Sequence, residues 1–144
     1  MVKCCGKMPH HFGTIFRQSS IIKGLVLAAR SNLLPGMFTV EVGELIALRE
    51  GLLLAQFYNL SVDVVEINSR LVVSFLNDSI PHVGESNFIV KDIKAMFLDV
   101  GISKCLAVSR SGNSLALKLA LLAFSSVRER LWLNLIEIVT RDYK

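Results

Sequence analysis

Few side chains in this sequence carry chemistry, and they are scattered. Cys4, Cys5, His10 and His11 crowd near the start and are donors of the kind that hold zinc, yet adjacent pairs do not supply the spaced ligands of a closed tetrahedral site. Glu44 stands at the head of an apolar periodic segment, where an acid in the first turn of a helix meets the positive end of its dipole. Asn68 and Ser69 are both good helix N-caps, and Asn113 stands in the same position before the last apolar run. The guanidinium fork of Arg110 suits phosphate oxygens, though a solvated arginine accounts for it equally well. Asn59-Leu60-Ser61 and Asn77-Asp78-Ser79 match the glycosylation acceptor pattern, which has meaning only in an exported chain.

The bulk numbers bound what these residues can belong to. A chain of 144 residues falls within the size of one domain, and 52% apolar against 19% charged residues is the composition of a compact globule. The net charge of +4 is spread along the chain with no basic tail, so it permits nucleic-acid binding without demanding it. No stretch reaches the ~18 uninterrupted apolar residues of a membrane span, Leu119 to Phe124 being the longest run. Lys3 and Lys7 have no apolar block behind them, so the start does not read as a secretory signal, and an intracellular, unsecreted protein is expected, in nucleus or cytoplasm. Three cysteines, two of them adjacent, do not make a disulfide framework.

The elements that must position these residues follow from periodicity. Thr14 to Arg17 and Leu25 to Ala29 are rich in strand formers and flank a polar turn at Ser19 and Ser20, predicting a hairpin. Pro35 and Gly36 break the chain before its longest periodic segment. Between Val40 and Tyr58, Leu45, Leu48, Leu52 and Ala55 recur at three- and four-residue spacing, predicting an amphipathic helix. Glu44 falls in line with Leu48, Gly51 and Ala55, which turns it toward the sheet. Val62 to Ile67 predicts a largely buried strand, Leu71 to Leu76 a short helix and Asn77 to Ser86 a connection. Ile89, Ile93, Met96 and Phe97 mark another helix, Ile102 to Val108 another strand, and Leu115, Leu119 and Leu122 a further helix. The tail from Arg128, with Trp132, has no clear period. This order is that of an α/β domain with a mixed sheet.

Three blocks carry a resemblance. Val42-Gly43-Glu44-Leu45-Ile46-Ala47-Leu48-Arg49-Glu50-Gly51-Leu52, then Val64-Val65-Glu66-Ile67-Asn68-Ser69, then Arg110-Ser111-Gly112-Asn113-Ser114-Leu115-Ala116-Leu117-Lys118-Leu119-Ala120 occur in that order. Together they resemble the ribonuclease H-like domain of plant retroelement-derived proteins. The family shows an alanine-glutamate-leucine helix start leading to glycine-leucine, a strand ending in glutamate, one residue, aspartate and serine, and an arginine, asparagine, alanine and leucine-alanine pattern. Gly13 to Ser20 is similar to the family's second strand and the segment around Trp132 to its end, so the likeness covers about residues 13 to 142. It implies a ribonuclease H-like mixed sheet flanked by helices over residues 13–144. Residues 1–12 form a short N-terminal segment, with the opening strand short or missing.

The resemblance also implies a chemistry. Ribonuclease H cleaves the RNA strand of an RNA/DNA hybrid with two divalent ions about 4 Å apart, which activate water and stabilise the leaving oxygen. Magnesium needs several converging oxygen ligands, and the family supplies four carboxylates. The first position falls in Val2-Lys3-Cys4-Cys5-Gly6, which contains no acid; the second is Glu44, the acid that is retained. The third is Asn68, a neutral amide, and the fourth Leu117, a hydrocarbon that shares a face with Leu121 and Phe124. The expectation is a domain that binds RNA/DNA hybrid through groups such as Arg110 and Asn113, holds Mg2+ weakly or not at all, and has lost cleavage.

Two other functions compete. The last helix is apolar on most sides apart from Ser114 and Lys118, which suits a protein-interaction or structural domain that oligomerises. An active metal-dependent hybrid ribonuclease would need nearby acids such as Glu66 to compensate. Glu66 lies two residues before Asn68 on a strand, and the other two positions have no replacement.

Overall fold

Helix α1 (Val40–Phe57) forms where the apolar spacing predicts it and organises one side of the molecule. The Thr39 hydroxyl caps it by accepting from the Val42 amide at 3.3 Å. At its end Asn59 adopts a left-handed φ of 56°, a conformation that asparagine tolerates, and the Leu60 amide returns to the Ala55 carbonyl at 2.8 Å. Leu45, Leu48, Leu52 and Ala55 are wholly buried. Each such leucine contributes about 1.5–3 kcal/mol by leaving water.

The computed structural model describes residues 2–7, 11–17, 26–33, 39–77, 84, 86–122 and 130–133. The turn at Ser19 and Ser20, the break at Pro35 and Gly36, most of the Asn77 to Ser86 connection, His10, Phe124 and the end of the tail lie outside them. The remaining elements are β1 (Val2–Lys7), β2 (His11–Arg17), β3 (Val26–Leu33), β4 (Val64–Ile67), α2 (Arg70–Leu76), α3 (Asn87–Val100), β5 (Lys104–Ala107), α4 (Ser114–Leu122) and β6 (Arg130–Leu133). A single 3-10 turn, Ser111–Asn113, leads into α4.

The strands form one mixed sheet in the order β5-β4-β1-β2-β3-β6. The opening strand, expected to be short or missing, is present: β1 has six residues and lies inside the sheet. It runs antiparallel to β2, with Cys4 opposite Thr14, and parallel to β4, with Cys4 opposite Ile67. Two flanking strands satisfy its backbone on both sides, which is why a segment without clear alternation becomes a strand.

The hairpin is longer than its apolar segments. β3 continues through Arg30, Ser31 and Asn32 because those residues pair with β2 on one side and, for Arg30 and Ser31, with β6 on the other. An irregularity between Phe16 and Arg17 shifts the register near the turn. Four residues of the aperiodic tail, β6, pair antiparallel with β3.

β4 differs from the expected largely buried strand. Val65 and Ile67 are wholly buried among the residues of α1, α2 and α3, while Val64 and Glu66 between them are half-buried. α1 rests on β1 and β2, and α4 rests on β1, β2 and β3 without more than incidental contact with α1, which puts the two helices on opposite faces. The Arg30 guanidinium meets the Glu50 carboxylate at 3.3 Å and ties β3 to α1. Cys105 belongs to the core, and burial pushes its thiol up to about 12, so it stays protonated and unreactive.

Two helix ends show local chemistry deciding boundaries. Ser69 caps α2, its hydroxyl accepting from the Val72 amide at 3.3 Å, which takes the place of the expected capping role of Asn68. α3 ends at Gly101, whose φ of 83° lets the Gly101 and Ile102 amides both return to the Phe97 carbonyl. Ser69→Ala is therefore expected to lower stability by about 1 kcal/mol in urea unfolding, with Asn68→Ala costing clearly less. The reverse ranking would return the cap to Asn68. Nothing lies within 4 Å of a Cβ added at Gly101. Gly101→Ala should thus cost only the backbone term, about 1–2 kcal/mol, and a neutral substitution would disprove the left-handed cap.

Candidate nucleic-acid interface

The parallel strands β1, β4 and β5 end on one side of the sheet, where ligands of open α/β sheets gather. Register fixes what meets there. Cys4 lies beside Ile67, so the last residues of β1 and Asn68 run out at the same end. The Val108 amide donates to the Ile67 carbonyl at 2.8 Å, which sets the start of the Ser109–Asn113 segment next to Asn68. The 3-10 turn and α4 both pack on β1. Glu44, in the N-terminal half of α1, lies over the same strand from the other face.

The residues brought to this end are differently exposed. Glu44 is buried, at 2% exposure, as its alignment with Leu48 implies. Because α1 starts at Val40, Glu41 occupies the first turn and Glu44 lies in the second, so the expected meeting of Glu44 with the free amides of the dipole falls to Glu41 instead. Asn68 and Leu117 are half-buried, and Arg110 is exposed. Asn113 is wholly buried, so it is not presented to solvent as a contact for nucleic acid.

The turn into α4 is built by serines that the sequence reading passed over. Ser109 Oγ accepts from the Gly112 amide at 3.2 Å and lies 2.9 Å from Ser111 Oγ, and the Asn113 amide donates to the Ser109 carbonyl at 3.1 Å. The signal is a serine three residues before a glycine, the pattern of a Ser turn. It holds the Arg110 backbone at the mouth of the site.

Among the described residues no group of three or more His, Cys, Asp or Glu side chains comes together as a metal would need. At the four positions named by the resemblance the donors are those of a neutral amide, a hydrocarbon, a β1 segment without acids and one carboxylate. That is not the converging oxygen set that two magnesium ions require. His11 faces Lys7 across the β1–β2 pairing, whereas Cys4 and Cys5 face Thr14 and Gly13. An open pocket of about 330 Å³, lined by Gln56, Asn59, Ser61 and Asp99 among others, lies at the far end of α1 and shares no residue with this site.

Comparison with known proteins agrees with this architecture. A family model described as reverse transcriptase-like matches residues 3–123. No curated protein matches the sequence significantly. RNase H1 from the archaeon Halobacterium salinarum is 19% identical, with a TM-score of 0.74 over 86% of this chain and 96% of its own. LC11-RNase H1, solved in complex with an RNA/DNA hybrid, is 21% identical with a TM-score of 0.74 over 86% and 95%. The N-terminal RNase H domain of a Mycobacterium tuberculosis protein, solved as a fusion, is 21% identical with a TM-score of 0.73 over 85% and 94%. The match spans most of the chain and includes β1, and the fold is shared with RNase H1: this chain belongs to the reverse transcriptase-like, ribonuclease H-like family.

Proposed function

We propose that this chain is a nucleic-acid-binding ribonuclease H-like domain, of plant retroelement descent, that takes an RNA/DNA hybrid and does not cleave it. The observation that carries this reading is the acid inventory at the carboxyl ends of β1 and β4: Glu44 alone stands where the chemistry needs four carboxylates. One carboxylate cannot balance two divalent ions, so magnesium binds weakly or not at all. The net charge of +4, and a fold shared with an enzyme solved on such a hybrid, support hybrid as the ligand.

In this reading the exposed Arg110 contacts a phosphate, and Asn113 supports the turn behind it from within the protein. Glu44, Asn68 and Leu117 mark the former metal site. A second reading, a protein-interaction domain, is favoured by Phe57, Phe88 and Leu98, which are 81%, 75% and 85% exposed.

Purified protein is expected to bind an RNA/DNA hybrid with an affinity that falls steeply with salt. Arg110→Ala should weaken binding regardless of sequence and reduce the salt slope by about 1. Binding that ignores salt, or concentration-dependent oligomers with no hybrid binding, would favour the interaction domain. No magnesium-dependent cleavage of the hybrid is expected; cleavage abolished by Glu44→Gln would overturn the loss of activity.

A further inference from the structure

The same acid inventory has an electrostatic side. In a site of converging carboxylates, metal ions are what make the approach of a phosphodiester tolerable, because each uncompensated carboxylate repels phosphate oxygens. Resting on the hybrid-binding reading above, we propose that this site takes the nucleic-acid backbone directly, with no divalent ion between protein and phosphate.

The groups that reach solvent at this end support direct contact. Glu44 is all but sealed from solvent at 2% exposure. Asn68 offers a half-buried neutral amide whose NH2 group donates hydrogen bonds, and Leu117 contributes no charge. Two exposed charged residues of the neighbouring segments are Arg110, in the turn that adjoins Asn68, and Lys118, next to Leu117 on α4. Both are positive. The exposed Ser111 adds a hydroxyl to the same turn. Glu66, the remaining acid nearby, is half-buried and lies about 7 Å farther back along β4, two strand residues from Asn68. A phosphate arriving here therefore meets the Asn68 amide, the Ser111 hydroxyl and the Arg110 cation in place of a carboxylate cluster.

Hybrid binding measured by fluorescence anisotropy in EDTA and in magnesium tests this. The native chain is expected to bind equally in both. Asn68→Asp combined with Leu117→Asp should lose about tenfold in affinity in EDTA and regain it when magnesium is added. Asn68→Asp alone is isosteric and leaves the helix cap at Ser69 in place, so it serves should the double variant not fold; it too should weaken binding in EDTA. A native chain that binds only with magnesium, or an Asn68→Asp variant indifferent to EDTA, overturns direct contact and leaves hybrid binding standing. A native chain that binds in neither condition overturns hybrid binding itself.

Discussion

The pairing of β1 on both of its edges holds the rest of the structure in place. Its antiparallel partner β2 leads into β3 and the outer strand β6, and its parallel partner β4 leads to β5. α1 and α4 cover it from opposite faces. A strand in that position has no free backbone edge, and its loss would leave β2 and β4 with unpaired amides and carbonyls inside the protein. It also aligns the carboxyl end of β4 with its own end, so the register Cys4 to Ile67 is what brings Asn68, the Ser109 turn and the start of α4 to one place.

At the positions that the family resemblance names, Glu44 is the one carboxylate, and it is buried. A parallel-strand end, a buried acid from a helix on one face and a helix start on the other would suit divalent ions if the side chains were acids. With an amide at Asn68 and a hydrocarbon at Leu117, two of these positions carry no negative charge for a cation. The fold does not depend on acids at these positions, since backbone pairing needs none of them.

Much of this was legible in the sequence, unevenly. α1 was read almost to the residue, because the Leu45, Leu48, Leu52 and Ala55 stripe is a local signal, and the same phase located Glu44 against the sheet. β1 was the weakest reading, since Val2-Lys3-Cys4-Cys5-Gly6-Lys7 has no alternation of its own and becomes a strand only when two neighbours satisfy it. Arg30, Ser31 and Asn32 lie beyond the predicted apolar segment Leu25 to Ala29 and are strand for the same reason. At the site, the motif blocks named the positions, but they left open that Ser69 rather than Asn68 caps α2 and that Asn113 is enclosed.

By itself, then, the sequence determined the helix phases, the order of elements from β2 to α4 and the inventory of charge at the site, because helical hydrogen bonds and side-chain types are properties of short segments. The tertiary structure alone decided the strand order, the central place of β1 and the division of the site between buried Asn113 and exposed Arg110. Strand pairing and burial are set by partners distant in the chain, and no local pattern contains them.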